Sequence, residues 1–431
     1  MSHNDYLIRW SKRGWFRKIA RALGIPTPKA LRRKTTPFAA SDVQGKRFAY
    51  GGGDASWLEA MGAQASAEGP LDLVVYDGRG LADVASLAEV HGFFSPLMKR
   101  VATHGRVLVL GLRDDACSSA GSAAAQAGLT GLARSLAKEL GRKTAYAHLL
   151  RLPASGSDGL AAVAHFLGSE HSAFVTGRVV DLCAAEAVPL EGALKGKRVV
   201  VTGSGRGIGL ATAERLVREG AQVIMVDRPE DEALVQEAAA KLGAEAFGLD
   251  VASADAPQRL VAEIEARGGV DVVIHNAGIT RDKTMGRMSA DQWQLCLDVN
   301  LGAVMRMNEA LLAGPMANGG NLVFLSSISG LAGNVGQTNY STAKSGLAGL
   351  AAHMGAQGQV RCNAVAPGFI ETRMTASLPF TLREGARRMA ALKQGGQPDD
   401  VAALVTFLAS PASAAVNGQT IRVCGGSLIG A

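Results

Sequence analysis

The feature that most constrains this 431-residue chain is that it repeats itself, in order. GKRFAYGGG (Gly45 to Gly53) is echoed by GKRVVVTGS (Gly196 to Ser204), and LDLVVYDGRG (Leu71 to Gly80) by VDVVIHNAGI (Val270 to Ile279). Further on, AAAQAGLTGLA (Ala123 to Ala133) is echoed by STAKSGLAGLA (Ser341 to Ala351), and SAFVTGRVVDLC (Ser172 to Cys183) by SAAVNGQTIRVC (Ser413 to Cys424). The chain must therefore build one architecture twice. In the second half, β-branched runs such as KRVVVTG, AQVIMVD and VDVVIHNAG alternate with helical patterns, which predicts parallel strands with helices on both faces. The stretch between the first two matches is longer in the second half by about one βαβ unit. The expected fold is α/β, with two doubly wound parallel sheets in tandem: a smaller flavodoxin-like N-terminal domain over 45–190 and a Rossmann-type C-terminal domain over 195–431.

Residues 1–44 precede the repeat as a basic amphipathic arm. Residues 1 to 40 hold ten Lys/Arg against the single acid Asp5, more than the formal net charge of +7 of the whole chain. The body is thus not basic, and the footprint of a nucleic-acid binder is missing. Phe16, Ile19, Ala20 and Leu23 are expected on one helical face, with Lys12, Arg13, Arg17, Lys18 and Arg21 around the other, until GIPTP (Gly24 to Pro28) stops the helix. Such a stripe docks on its own protein, on a partner subunit or on a membrane surface; the first two are preferred here, because the stripe is short. No apolar run approaches the roughly 20 residues of a bilayer span, so no integral membrane segment is expected. Five cysteines lie far apart without metal-ligand spacing, which fits a reducing cytoplasm and predicts neither zinc nor disulfides.

The chemistry concentrates in the second half. TGSGRGIG (Thr202 to Gly209) follows a strand and opens a helix, where a glycine-rich turn lets backbone approach a pyrophosphate. Asp227 ends the next strand, placed to accept hydrogen bonds from ribose hydroxyls and to repel a 2′-phosphate, so NAD(H) is preferred. Arg228 keeps NADP(H) open. Tyr340 and Lys344 sit one helical turn apart in NYSTAK, and an ammonium near a phenol lowers its pKa. Asn300 in DVN, Ser327 ending LVFLSS, and PGFIET (Pro367 to Thr372) complete the constellation.

This set of motifs, covering about residues 195 to 431, resembles the short-chain dehydrogenase/reductase family, and most closely its 3-oxoacyl-ACP reductases in their high-molecular-weight form. The resemblance implies a catalytic set of Asn300, Ser327, Tyr340 and Lys344. Tyr340 would protonate the carbonyl oxygen, Ser327 hydrogen-bond it, Lys344 tune the phenol and bind the nicotinamide ribose, and Asn300 hold a water that relays the proton. It implies cofactor contacts from Gly203, Arg206, Gly207, Ile208 and Gly209 in the phosphate turn, and from Asp227 and Arg228 near the adenosine ribose. Asp250 and Val251 would flank the adenine and Asn276, Ala277 and Gly278 would support the nucleotide. Pro367, Gly368, Ile370 and Thr372 would cradle the nicotinamide amide. The implied reaction is NADH-dependent reduction of a 3-oxoacyl thioester of coenzyme A or acyl carrier protein. Oxidation of a 3-hydroxyacyl-CoA or other secondary alcohol, and a non-enzymatic scaffold for an acyl-carrier or membrane-bound partner, are the alternatives. Arg383, Arg387 and Arg388 are candidate contacts for phosphates or an acidic carrier, or else a solvated face; Met285 and Met288 are candidate acyl-channel residues. Asn318 stands near a position where a basic carrier-binding residue is expected.

Aligning the repeats pairs Asn300 with His91, Ser327 with Leu112, Tyr340 with Ser122 and Lys344 with Gln126, and none of the first-half residues can do its counterpart's chemistry. GGGDAS also places Asp54 where a pyrophosphate would lie. The first half is expected to be a non-catalytic pseudo-subunit, and the assembly a homodimer.

Overall fold

The computed structural model describes residues 5–23, 27–316 and 320–427, without the side chains of Arg17 and Arg21. Asn318, and Gly24 to Pro26 of the expected helix stop, lie outside the described residues. Two parallel sheets form. The first has six strands: β1 (Arg47–Gly51), β2 (Gln64–Ala65), β3 (Leu71–Asp77), β4 (Val101–Leu112), β5 (Tyr146–Leu152) and β6 (Arg178–Asp181), in the order β2-β1-β3-β4-β5-β6. The second has seven: β7 (Arg198–Thr202), β8 (Gln222–Asp227), β9 (Glu245–Gly248), β10 (Val272–His275), β11 (Asn321–Leu325), β12 (Arg361–Pro367) and β13 (Thr420–Val423), in the order β13-β12-β11-β10-β7-β8-β9. The first order is flavodoxin-like and the second Rossmann-type; the extra strand falls where the second half is longer. Strands such as β11 and β10 are buried at every position, as parallel strands covered on both faces require.

The two sheets are held together across a junction of repeat-equivalent residues. Phe166, in the helix Leu160–Gly168, and Phe407, in the helix Pro398–Ala409, stack with ring centroids 4.4 Å apart and planes 5° from parallel. Each helix ends in the same way: Ser169 Oγ donates to Phe166 O at 2.9 Å and Ser410 Oγ to Phe407 O at 2.8 Å. The Ser172 and Ser413 hydroxyls then close on Leu167 O and Leu408 O, both at 3.0 Å. Backbone bonds cross the junction in both directions, from Cys183 N to Ala415 O and from Gly425 N to Phe174 O, both at 2.9 Å. Gln419 donates to Asp181 O and accepts from Asp181 N, bridging β13 to β6. As a result one hydrophobic core contains Phe48, Val75 and Leu150 of the first sheet and Val199, Val365 and Val423 of the second.

The arm straps this junction. Arg33 makes a bidentate pair with Asp400 at 2.8 and 2.9 Å, Gln394 Nε2 donates to Lys29 O at 2.8 Å, and Phe38 N donates to the Glu219 carboxylate at 3.1 Å. Its helices Tyr6–Ser11 and Gly14–Ala22 differ from the single expected stripe. Ala20 is buried, but Ile19 and Leu23 are exposed, because the protein covers only a narrow strip of the second helix. Among the described residues no helix is long and apolar enough to cross a membrane.

Phe407→Ala removes a fully buried ring from the junction and is expected to destabilise the chain by about 3–5 kcal/mol, read by urea unfolding. A loss below about 1 kcal/mol would mean that the two halves do not share this core.

Candidate active site

The Rossmann order places its topological switch point between β7 and β10, and the crevice beyond their carboxyl ends is the expected ligand site of such a sheet. The glycine turn leaves β7 there. Gly203 has φ +64°, and a Cβ on Gly209 would lie 2.1 Å from Gly203 O, so only glycine lets the turn fold back against the helix Gly207–Arg218. Gly207, at φ +62°, has nothing near its missing Cβ, leaving room beside the helix N-terminus. This open, amide-lined cradle fits a dinucleotide pyrophosphate. Asn276 locks it to the end of β10: its Nδ2 donates to Thr202 O and Gly203 O, both at 2.9 Å, while Thr202 Oγ1 accepts from the Asn276 and Ala277 amides at 3.0 and 3.1 Å.

Asp227 stands at the tip of β8, its carboxylate accepting from Gly205 N at 2.8 Å and Arg228 N at 2.9 Å. The Arg228 and Arg206 guanidiniums turn away to share Asp231, at 2.6 and 3.2 Å. Asp250 is exposed, with Oδ1 accepting from Ala252 N, whereas Val251 is buried in the core that holds Val200 and Val226. Ile208 is half-buried in the turn's helix. Beyond β12, Pro367 and Gly368 run close to β13, where a Cβ on Gly368 would sit 2.7 Å from Cys424 Cβ. Ile370 is buried and Thr372 heads the short helix Arg373–Ala376.

The catalytic candidates come from three elements. Ser327 follows β11 and caps the helix Ile328–Ala332 by accepting from Ser329 N. Tyr340 and Lys344 lie on the helix Thr338–Gln357, with the Lys344 ammonium 5.6 Å from the centroid of the Tyr340 ring. Ser326 Oγ donates to Lys344 O at 2.7 Å, pinning this helix to the strand end. Lys344 is buried and its ammonium donates to Leu325 O at 2.8 Å. Asn300 is buried in a π-helical turn, Asp298–Gly302, a local widening often found at functional sites. Its Nδ2 donates to Ile279 O at 2.9 Å and Cys296 O at 2.8 Å, and its Oδ1 accepts from Ile279 N at 3.3 Å. With these bonds made, the side chain braces the turn.

Two sequence expectations are corrected. The phenol is not lowered overall: burial pushes Tyr340 up to about 12, against a hydrogen bond with Ser327 that works the other way. Burial also pushes Lys344 down to about 8. Desolvation is the largest cause for both groups. The second correction concerns the arginines. Arg387 is buried and paired with Glu371 and Glu384, and Arg388 makes a bidentate pair with Asp5 of the arm at 2.7 and 2.8 Å, so neither is a solvated face or a free phosphate contact. Arg383 donates to Ala376 O. Met285 is exposed and Met288 half-buried.

Sequence reasoning missed Asn339, whose Nδ2 donates to Arg281 O and Gln292 O and so seats the helix start beside Tyr340. It also missed Cys296, whose buried thiol lies 3.4 Å from Asn300 Nδ2, and Asp231, which draws both guanidiniums from Asp227. Only Asp231 carried a readable signal, as an acid three residues after Arg228.

The comparisons agree with this geometry. A family profile described as enoyl-(acyl carrier protein) reductase matches residues 203–427. The short-chain reductase protein NovJ of Streptomyces niveus is 42% identical over 243 residues, 53% of this chain and 92% of the relative. A 3-oxoacyl-[acyl-carrier-protein] reductase of Thermotoga maritima is 38% identical over 244 residues, 55% of this chain and 99% of the relative. A (3R)-3-hydroxyacyl-CoA dehydrogenase of Canis lupus familiaris is 38% identical over 253 residues, 54% of this chain and 96% of the relative. The chain belongs to the short-chain dehydrogenase/reductase family, whose enzymes are oxidoreductases working with a nicotinamide cofactor.

Gly278 is where two of the candidate side chains meet: an added Cβ would lie 2.5 Å from Asn300 Oδ1 and 3.2 Å from Lys344 Nζ. Gly278→Ala is expected to displace both groups and lower turnover by about a hundredfold, with the far-UV CD spectrum unchanged. Wild-type turnover in this variant would show that the close approach is not part of the working site.

Proposed function

We propose that the chain reduces 3-oxoacyl thioesters, carried on coenzyme A or acyl carrier protein, to 3-hydroxyacyl thioesters with NADH. The observation that carries this reading is a half-buried phenol beside a serine hydroxyl and one helical turn from a buried ammonium, at the mouth of a dinucleotide cradle. The reductase and dehydrogenase named among the relatives act on this substrate class. When bound, the nicotinamide supplies the hydride. Ser327 would hydrogen-bond the substrate carbonyl oxygen, Tyr340 would give that oxygen its proton, and Lys344 would hold the ribose and return a proton toward the phenol. Asn300 would keep the turn beside Gly278 in shape.

Asp227, kept at the strand tip by two backbone amides, supports NADH; Arg206 and Arg228 are engaged with Asp231 rather than poised for a 2′-phosphate. In the first half, Asp77 and Arg79 form an ion pair beyond β3, and the Phe93 ring would lie 2.5 Å from a Cβ on Gly51. These side chains fill the crevice that the second half leaves open, which supports a non-catalytic first half acting as a built-in partner lobe. Two such chains would form a four-lobed dimer.

Acetoacetyl-CoA reduction measured side by side is expected to run faster with NADH than with NADPH, and Asp227→Asn to narrow the difference; faster NADPH turnover would contradict the cofactor reading. Tyr340→Phe is expected to lower turnover by about 10²–10⁴-fold with NADH affinity nearly intact, and undiminished activity would reject the proton donor. Because the Lys344 ammonium is lost as pH rises through about 8 while the phenol stays protonated, kcat/KM for reduction should fall above that value. A profile flat well beyond it would show that the ammonium is not required.

A further inference from the structure

The arm leaves a row of large apolar side chains in solvent. Trp15, Ile19 and Leu23, spaced four residues apart on one stripe, are 52%, 50% and 68% exposed. The row continues from Trp15 to Trp10, with ring centroids 5.8 Å apart, then one helical turn back to Tyr6, and from Tyr6 to Phe380 at 6.4 Å. Phe380 is itself 56% exposed and opens the helix Phe380–Met389, where Leu382 and Met389 are also exposed. The strip by which the arm is anchored is a different one, through Ile8, Ala20 and the Asp5–Arg388 pair. Cations border the row: Arg9 lies over the Tyr6 ring and Arg13 over the Trp10 ring, and Lys12 and Lys18 are exposed. From Tyr6 through Ser41 the chain contains no Asp or Glu.

We propose that this row, from Leu23 through Trp10 and Tyr6 to Phe380, seats the protein on an anionic phospholipid bilayer surface. Two requirements single out that occupant. The cations with no acid among them call for a negative surface, and the stripe of indole, phenyl and aliphatic groups calls for hydrocarbon below the charge. An interfacial helix with Trp and Leu on one face and Lys/Arg on the other meets both by lying in the headgroup plane. An acidic protein would answer the charges and leave the apolar stripe without a depth to enter. The Asp5–Arg388 pair and the Tyr6–Phe380 contact join the arm to the segment that follows PGFIET, so seating would bring the substrate side of the second sheet to the lipid surface.

The test is flotation of the full chain with vesicles of phosphatidylcholine alone and of phosphatidylcholine mixed with phosphatidylglycerol, together with the tryptophan emission maximum. Binding to the mixed vesicles alone, weakened by salt and accompanied by a blue shift, is expected. Trp15→Glu combined with Ile19→Glu should weaken binding by at least about tenfold while acetoacetyl-CoA reduction in solution is unchanged, since both side chains are exposed and neither is one of the site residues. Lys12→Gln combined with Lys18→Gln should weaken the preference for phosphatidylglycerol. No binding of the wild type to the mixed vesicles, or equal binding by the Trp15/Ile19 variant, would overturn the proposal. So would vesicle-independent binding of an acidic carrier protein, or a change of oligomeric state, that the same variant abolishes.

Discussion

The stacked pair Phe166 and Phe407 is the contact on which the molecule is organised. Neither sheet closes its own core at this junction: the helices that carry the two rings cover both sheets, and apolar residues of all the central strands form one buried cluster. The serine closures behind each ring are the same bonds made twice, and the two crossing backbone bonds end on equivalent carbonyls, those of Phe174 and Ala415. A repeated sequence that folds against its own copy produces this arrangement, because equivalent surfaces are self-complementary across a two-fold relation. The arm follows as a consequence. It crosses the junction and satisfies polar groups from both sides, with Arg33 on Asp400 and Phe38 on Glu219.

On this shared frame the two halves diverge at the ends of their strands. Lys344 and Gln126 occupy equivalent places in the repeat but are held differently: Lys344 donates to Leu325 O at the end of β11, while Gln126 donates to Gly78 O beyond β3 and accepts from Leu112 N at the end of β4, all at 2.8 Å. The amide ties two strand ends together and carries no charge. In the second half the buried ammonium costs solvation, visible in its lowered pKa, and this is strain of the kind that a site retains and a scaffold loses.

How much of this was legible in the sequence follows from which forces act locally. The tandem sheets, their different strand orders and the glycine turn were readable, since β-branched runs, helical spacing and a glycine at positive φ are local requirements. Many of the residues named from motifs lie at the ends of β7, β8, β10, β11 and β12, with Tyr340 and Lys344 on the helix Thr338–Gln357, whereas Val251 is buried in the core. What the sequence did not disclose depends on long-range partners. Arg387 and Arg388 read as free charges because Glu371, Glu384 and Asp5 are distant or unremarkable in the chain. The balance on Tyr340 was misread because spacing places the lysine nearby but does not reveal how far the packed structure desolvates the phenol. The exposed row on the arm was hidden for the same reason: helical periodicity groups Ala20 with Ile19 and Leu23, and only the packed structure shows which of them is covered.

The central claim is that one half of the chain holds the nucleotide and performs the chemistry while its repeat supplies the frame. Titration of NADH into the full chain, followed by nicotinamide fluorescence, tests it most directly when repeated on Gly209→Val, whose side chain would collide with the carbonyl of Gly203. The account predicts one NADH per chain and none in the variant, with the folded CD spectrum retained. Two NADH per chain, or one that survives the substitution, would contradict it.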